Sequence, residues 1–476
     1  MADSQSFRKN WIRPFFFYGN NRLSLIGGAL TSASALVLIG FWVIDVFGHG
    51  GSSNPYIGII VDFALPGLFV LGLVMIAVGL LLRQRSLKSA GKIPSVFPAI
   101  DMRDPVFRHG IEFVALATAI NFVIVGTAAY RGVAYMDTPS FCGQACHVMD
   151  PEFQAYHMSS HRAVPCTDCH IAPGVGGFVH AKMNGTKQLA NVLLHRWPTP
   201  IMQENKIPTA DKTCLNCHNP ERNIGDRIHI TNTFGDDEKN SLTHTVAVLH
   251  VGGGNVLGQM SGIHGAHSAH IEYIATDSGS QTIPYVAYTN PDGSVTEYLS
   301  SDAKGTPAGA RRTMDCIDCH NRAAHSFDTA EQALDRFMVA GAPNASLPFV
   351  HKQGMALLKT EYRTQQDAET GITRGLEQFY SSQYPQVYSS QRAQVEAAAK
   401  ALTSIYDHNI FPAMKVTWGT HPNNLGHNDY PGCFRCHDGS HTSKSGKTIN
   451  NDCTTCHNLA ATDEAAPKAM TELGIP

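Results

Sequence analysis

The stretch Phe141-Cys142-Gly143-Gln144-Ala145-Cys146-His147-Val148-Met149, followed by Cys166-Thr167-Asp168-Cys169-His170, decides the architecture of this 476-residue chain. In both segments a pair of cysteines is followed at once by a histidine, which is the attachment signature of c-type haem. The cysteines bond the porphyrin edge and the adjacent imidazole ligates the iron. An apolar segment ends at Tyr130, one short loop before the first motif. The sequence therefore predicts electron transfer beside a bilayer.

All twelve cysteines fall into six pairs, and a histidine follows each pair. The motifs are Cys142/Cys146/His147, Cys166/Cys169/His170, Cys214/Cys217/His218, Cys316/Cys319/His320, Cys433/Cys436/His437 and Cys453/Cys456/His457. Zinc sites and disulfides are the alternatives, but paired cysteines can bind zinc without a trailing histidine, and disulfides leave the six histidines unexplained. The pattern therefore predicts six covalently attached haem c groups. A net charge of −3 gives no indication of nucleic-acid binding.

Three apolar segments predict a membrane anchor over residues 1–131. They cover residues 23–47, 57–82 and 107–130, and each is long enough to cross about 30 Å of hydrocarbon as a helix. A cleaved signal peptide fits the first segment poorly, because that segment is long and a second one follows soon after. Lysine and arginine are concentrated in the N-terminus and the 83–108 loop and are absent from residues 48–56. The positive-inside rule then places the N-terminus in the cytoplasm.

With three spans, the rest of the chain lies in the periplasm of a bacterial inner-membrane protein, where covalent haem attachment requires it. We divide it into a tetrahaem domain (132–325) with an insert (219–315), a helical spacer (326–410) and a C-terminal dihaem segment (411–476). Residues 283–288 and 294–299 flank Asn290-Pro291-Asp292-Gly293 and predict a β-hairpin in the insert. Thr329 with Gln332 predicts the start of a spacer of two or three helices.

The predicted fold class is mainly α: a three-helix membrane anchor, then a periplasmic multihaem domain with little regular structure and a small β-hairpin insert. Little regular structure is expected because closely spaced haems provide most of the apolar core.

Electron-transfer haems need a second axial ligand, and histidines outside the motifs are the candidates. Four of them lie in short polar segments near a motif: His161, His325, His427 and His441. A fifth is expected from the insert, where His264 is the first candidate and His250, His267 and His270 are alternatives. A solvated surface histidine is the alternative interpretation for each. Paired histidines keep the iron at low potential compared with Met/His ligation.

The first motif differs from the others, because three residues separate its cysteines and Met149 follows His147 by two positions. Met149 is therefore a candidate iron ligand in place of His147, with a role as core filler as the alternative. If Met149 ligates the iron and nothing occupies the opposite face, this haem is open. An open haem nearest the membrane suits quinol chemistry.

Taken together, these motifs resemble the NapC/NirT family of membrane-anchored multihaem quinol dehydrogenases. The resemblance covers roughly residues 107–325 and is carried by the apolar segment leading into Phe141-Cys142, the C-H-x-M of Cys146 to Met149, Ser160-His161, Cys166 to His170 followed by Pro173-Gly174, and Cys316 to His320 followed by His325. The extra spans, Leu249-His250-Val251-Gly252 and Gly432 to His437 resemble a longer branch that includes inner-membrane cytochromes of metal-reducing bacteria.

The resemblance implies specific roles for several residues. Met149 would ligate the first haem, His161 the third and His325 the second, and Lys182 would line the quinol pocket. In tetrahaem relatives an aspartate follows that lysine by about seven residues, but Lys187-Gln188-Leu189 offers no carboxylate here. Candidate substitutes as proton acceptor are Asp150, Glu152 and His180.

The predicted function is oxidation of membrane quinol, with electrons passing through about six haems to a periplasmic cytochrome or reductase in anaerobic respiration. One alternative is a non-catalytic electron wire within a larger respiratory or photosynthetic complex. Another is a terminal reductase of nitrite or hydroxylamine. The lysine-ligated C-x-x-C-K motif of such nitrite reductases does not occur in the sequence, which counts against that reading.

Overall fold

The computed structural model describes residues 14–47, 64–94, 97, 103, 105–136, 138–144, 147–201, 207–219, 225–254, 260–267 and 270–475. These residues fall into two compact units. The first unit comprises Met1–Cys142 with Ile171–Lys187, and the second comprises Gly143–His170 with Gln188–Pro476.

Three long helices dominate the first unit: α1 (Arg22–Phe47), α2 (Leu65–Ser89) and α3 (Pro105–Met136). Residues 22–41 of α1 and the whole of α2 are long and apolar enough to cross a membrane. Helix α2 begins later than the second predicted segment, because Pro66 lies in its first turn, where proline is best accommodated. Helix α3 contains the third predicted segment, whose crossing of the membrane remains a prediction.

Small residues set the packing of α1 against α2. A side chain at Gly72 would come within 2.8 Å of the carbonyl oxygen of Gly27, and one at Gly79 would meet Ser24. The Ser24 hydroxyl donates a hydrogen bond to the carbonyl oxygen of Ile76 at 3.2 Å. Lipid gives helices no hydrophobic drive to associate, so close backbone approach through small residues and interhelical hydrogen bonds hold such pairs together.

Five short helices and one of 20 residues follow α3 along the chain. They are α4 (Pro139–Gln144), α5 (Asp150–Met158), α6 (Cys166–His170), α7 (Gly174–Leu193), α8 (Gly262–His267) and α9 (Cys316–Cys319). Single 3₁₀ turns cover His147–Met149, Ala210–Lys212, Cys214–Asn216, Pro412–Met414, Gly432–Arg435 and Cys453–Thr455. The first cysteine of each of motifs two to six lies in one of these helical turns. Two cysteines three positions apart then face the same side of the turn.

The second unit holds more β-structure than the sequence predicts. Strands β1 (Arg227–Phe234) and β2 (Leu242–Leu249) pair antiparallel, and β10 (His457–Glu464) joins the free edge of β2. A second sheet has the order β8-β5-β6-β7-β9, and β3 pairs with β4. The remaining strands are β3 (Gly253–Gly254), β4 (Met260–Ser261), β5 (Ile271–Ile274), β6 (Tyr285–Thr289), β7 (Val295–Leu299), β8 (Arg312–Thr313) and β9 (Thr442–Ser443).

The predicted hairpin is present as β6 and β7, paired in register from Tyr285↔Leu299 to Thr289↔Val295. The turn glycine, Gly293, has a φ of +83°, which a side chain would disfavour. The prediction of little regular structure was wrong for the insert. Its strands are rich in isoleucine, valine, threonine and tyrosine, which suit a pleated and half-buried surface.

The cysteine-free spacer contains five helices rather than the predicted two or three. They are α10 (Ala330–Val339), α11 (Val350–Leu358), α12 (Gln365–Gln383), α13 (Pro385–Ser390) and α14 (Arg392–Asn409), and a short α15 (Lys468–Glu472) follows near the C-terminus. Thr329 and Gln332 form the predicted capping box at the start of α10. Leu334, Ile372 and Leu402 are completely buried in one apolar cluster. The spacer therefore has a protein core of its own and does not rely on haem for it.

Candidate haem-binding site

Motifs two to six follow one another in space in their sequence order. The pKa of the Cys169 thiol is raised by burial and by the neighbouring Cys214 of the third motif. The third and fourth motifs are joined where the amide of Ala210 donates to Asp315 at 2.8 Å. Two further bonds complete the series. Arg435 of the fifth motif donates to the carbonyl oxygen of Asp318 at 2.7 Å, and His437 donates to that of Asn450, beside the sixth motif, at 2.5 Å.

Five pairs of imidazole rings accompany these motifs, and each pair contains one motif histidine. The ring centroids are 6.2 Å apart for His170–His325, 5.9 Å for His218–His161, 6.4 Å for His320–His264, 5.8 Å for His437–His267 and 6.0 Å for His457–His427. Every one of the five partner histidines comes from outside the motifs.

These separations fit one metal ion between each pair of rings. With metal–nitrogen bonds of about 2 Å, two imidazoles that bind one ion from opposite sides hold their ring centres roughly 6 Å apart. Burial and, to a smaller extent, nearby His325 lower the pKa of His170 to about 4. Such a ring is neutral at pH 7, which is the form that ligates a metal.

Backbone carbonyl groups fix the orientation of four of these rings through Nδ1. The bonds run from His161 to Ala323 (3.1 Å), from His325 to Glu152 (2.9 Å), from His267 to Ile263 (2.7 Å) and from His437 to Asn450 (2.5 Å). A carbonyl oxygen only accepts, so Nδ1 carries the proton and Nε2 keeps its lone pair. Metal-binding histidines usually donate their other nitrogen in this way.

Disulfides do not account for the cysteines of the last four motifs. Cys214, Cys217, Cys316, Cys319, Cys433, Cys436, Cys453 and Cys456 are all described, and none of them is in a disulfide.

Comparison with known proteins identifies the family. Residues 107–224 match the NapC/NirT cytochrome c family, N-terminal region. The chain is 35% identical over 448 residues to the cytochrome c-type protein ImcH of Geobacter sulfurreducens, covering 92% of this chain and 88% of that relative. This chain belongs to the NapC/NirT cytochrome c family. TorC of Escherichia coli K12 is 28% identical over 139 residues, 25% of this NapC/NirT cytochrome and 35% of TorC. No solved structure matches it.

Membership in a cytochrome c family implies that this NapC/NirT cytochrome carries covalently bound haem c. The structure places His161 beside the third motif and His325 beside the second, which are the partners that the family resemblance implies. His264 lies beside the fourth motif and His427 beside the sixth. All four lie where a distal ligand is needed, although their ligation remains a proposal.

His441 forms no ring pair with the five motif histidines whose side chains the structure describes, contrary to the sequence-based expectation. Its side chain is 2% exposed. Nε2 lies 2.7 Å from the carbonyl oxygen of Ile283, and Nδ1 lies 3.0 Å from a carboxylate oxygen of Asp438. Because the Ile283 carbonyl oxygen only accepts, Nε2 donates in this hydrogen bond and has no lone pair left for iron. The fifth motif faces His267 instead.

The other two candidate histidines of the insert, His250 and His270, have different partners. His250 lies 3.1 Å from Asp226 and 3.0 Å from the amide of Asn458. His270 lies 3.4 Å from Glu272 on an exposed edge. The insert therefore supplies two rings to the motifs, those of His264 and His267. Their spacing of three residues, which puts both on one face of a helix, was the available sequence signal for a second ligand.

The first motif is described only in part. Cys146 and the side chains of His147 and Lys182 lie outside the described residues. Met149 is half-buried and packs against an apolar cluster that includes Val148 and Phe327. This environment suits the core-filler alternative, and its ligation of the first haem remains a prediction.

Of the three candidate proton acceptors, Asp150 and His180 are exposed. Burial raises the pKa of Glu152 to about 7, despite the opposing effect of the Arg322 guanidinium. Glu152 lies 3.8 Å from Arg322 and 3.4 Å from His325. This carboxyl group therefore lies buried against a candidate ligand of the second haem.

Proposed function

We propose that this NapC/NirT cytochrome oxidises membrane quinol and passes the electrons through six haem c groups to a periplasmic cytochrome or reductase. One observation carries the proposal: five pairs of imidazole rings, each with the spacing for one iron, accompany motifs two to six in sequence order. A series of closely placed redox sites suits conduction over a distance rather than chemistry at a single centre.

Haem iron, when bound, takes up and releases one electron at a time at a low potential set by paired histidines. The chain's contribution is to hold each ring in place. For motifs two, three, four and six we assign His325, His161, His264 and His427 as the distal ligands. The carbonyl groups of Glu152 and Ala323 orient two of these rings by accepting from Nδ1.

At the membrane end we assign Lys182 to the quinol and Met149 to the first haem. Oxidation of a quinol releases two electrons and two protons. A lysine ammonium placed at the quinol oxygen stabilises the negative charge that develops there as the proton leaves. Lys182 lies on α7, which follows directly after the second motif. We assign the released protons to the periplasmic side.

The membrane assignment rests on the apolar helices of the first unit. Both α1 and α2 have the length and composition of membrane spans. With α3 as a third span and a cytoplasmic N-terminus, the haem motifs lie in the periplasm of an inner-membrane protein.

The test is anaerobic titration of the purified, haem-loaded protein with a reduced water-soluble quinol, following haem reduction by its absorption. Quinol dehydrogenase activity predicts rapid reduction of the haems and one quinone formed for every two electrons accepted. If dithionite reduces the haems but quinol does not, the protein is an electron wire that receives its electrons from another subunit, and the proposal fails.

A further inference from the structure

The short helix α8 in the insert carries two histidines that face different motifs. The ring of His264 lies 6.4 Å from that of His320 in the fourth motif, and the ring of His267 lies 5.8 Å from that of His437 in the fifth. Residues three apart on a helix are surface neighbours. One helical turn thus places a histidine beside each of two successive motifs.

A glycine-rich segment holds α8 in position. The amides of Ile263 and His264 donate to the carbonyl oxygens of His250 and Val251 at 2.8 Å and 3.1 Å. Gly252 has a φ of +68°, and a side chain there would come within 1.8 Å of the carbonyl oxygen of Ser261. Only glycine permits this approach, which explains the segment His250-Val251-Gly252 noted in the sequence.

Gly262, the first residue of α8, is constrained in the same way. Its φ is +65°, and a side chain there would come within 2.4 Å of the carbonyl oxygen of His250. The two glycines therefore pack backbone against backbone and fix where the helix begins. The positions of both histidines follow from that starting point.

The cysteine side of the same two motifs is held together by Arg435, which lies between the cysteines of the fifth motif. Its guanidinium donates to the carbonyl oxygen of Asp318 at 2.7 Å and to that of Ser280 at 2.9 Å. Tyr273 donates to the Asp318 carboxylate at 2.6 Å. The fourth and fifth motifs are thus joined to each other independently of α8.

The tautomer of His267 is suited to ligation. Its Nδ1 donates to the carbonyl oxygen of Ile263 at 2.7 Å, and Nδ1 of His437 donates to that of Asn450 at 2.5 Å. Both rings therefore keep Nε2 for a shared ion. Among the described residues, Nδ1 of His264 is buried and has no hydrogen-bond partner.

We propose that α8 is a shared ligand turn, in which His264 ligates the iron of the fourth haem and His267 that of the fifth. The inference deepens the proposed function and rests on its assignment of haem to these two motifs. It gives the insert a role, since the insert fixes the spacing of the haem pair that joins the tetrahaem domain to the C-terminal dihaem segment. Electrons must cross this junction to leave the protein at its C-terminal end.

The test uses the full-length protein matured with haem, with the variants His264→Leu, His267→Leu and the double substitution. Each single variant should convert one haem equivalent from low spin to high spin in the electron paramagnetic resonance spectrum, and the double variant two. The haem count per chain should stay unchanged. His270→Leu is the matched control, because His270 lies in the same insert with an exposed ring, and it should leave every spin state unchanged.

A second set of variants separates ligation from misfolding. His267→Met should keep the fifth haem low-spin but raise its midpoint potential, because methionine replaces histidine as the axial ligand. Gly252→Val should disturb the fourth and fifth haems together, since it displaces the whole turn.

Retention of all low-spin haems in His267→Leu would overturn the proposal. So would an unchanged set of midpoint potentials in His267→Met. All of these readouts use chemically oxidised or reduced protein, so their outcome does not depend on whether the protein oxidises quinol.

Discussion

Phe434 stacks on His427 with ring centroids 4.1 Å apart and an angle of 15° between the planes. Phe434 lies between the cysteines of the fifth motif, whereas His427 faces His457 of the sixth. Phe434 of the fifth motif therefore packs against His427, the candidate distal ligand of the sixth. The last two motifs are thus linked through protein contacts.

Replacing Phe434 with alanine should loosen His427. An aromatic pair contributes about 0.5–1.5 kcal/mol beyond burial, so the sixth iron should lose its distal ligand more readily. We expect carbon monoxide to bind one haem equivalent of the reduced variant while the parent protein binds less at that site. Phe434→Tyr keeps the stacking ring and should behave as the parent. Equal carbon monoxide binding in all three proteins would show that the stack does not support ligation.

Substitution of His325 by leucine should turn one low-spin haem high-spin without loss of haem, because His325 is the candidate distal ligand of the second motif. His441→Gln provides the contrast. The structure gives His441 hydrogen bonds in place of iron, so its variant should keep every haem low-spin, although it removes a buried hydrogen bond that stabilises the fold by about 1–3 kcal/mol. Electron paramagnetic resonance spectra of the two variants show which of the two histidines ligates a haem iron. A high-spin signal in His441→Gln alone would reverse the two assignments.

Substitution of Lys182 by alanine should slow quinol oxidation by about 100-fold or more, the scale expected for loss of a group that stabilises developing charge. The haem count and spectra should remain those of the parent. Lys187→Ala is the matched control on the same helix, and its rate should be unchanged. Stopped-flow mixing with reduced quinol gives both rates. A normal rate in Lys182→Ala would remove this residue from the mechanism.

His351 should make the stability of the second unit depend on pH. Its Nδ1 lies 2.8 Å from Asp236 and its Nε2 3.3 Å from Asp335. Burial alone would lower the pKa of His351, but the neighbouring Asp335 and Asp236 carboxylates raise it overall. A raised pKa means that the protonated ring stabilises the fold fully below about pH 6.5. This stabilisation is lost as the pH rises through the higher pKa of the folded protein.

His351→Gln should therefore lower the thermal midpoint most at about pH 6, by the equivalent of about 1–3 kcal/mol for a broken buried hydrogen bond. The difference from the parent should shrink toward pH 9. His229→Gln changes an exposed histidine on β1 and should have no such effect. A deficit that grows with pH in His351→Gln would contradict the assigned protonation.

The attachment motifs and several candidate ligands were readable from the sequence because they are local patterns. The spacing of Cys166, Cys169 and His170 is a local pattern typical of c-type haem attachment. Ser160-His161 and Ala324-His325 resemble known family segments. The hairpin of β6 and β7 was visible for a similar reason, since its turn and alternating residues lie within a few positions of each other.

What the sequence did not reveal depends on distant contacts. His441 was expected to be a ligand because it lies close to the fifth motif in sequence, yet tertiary structure turns both of its nitrogens toward Asp438 and Ile283. His267 lies far from His437 in sequence and reaches it through the fold. Strand β10 likewise pairs with β2, which lies about 200 residues earlier in the chain. Local sequence does not indicate such a partner.

A density map of the haem-loaded protein by electron cryo-microscopy tests the account most directly. It should show six porphyrins per chain, with irons two to six between His170 and His325, His218 and His161, His320 and His264, His437 and His267, and His457 and His427. A map in which these rings close on each other without iron, or in which an iron is bound by His441, would contradict it.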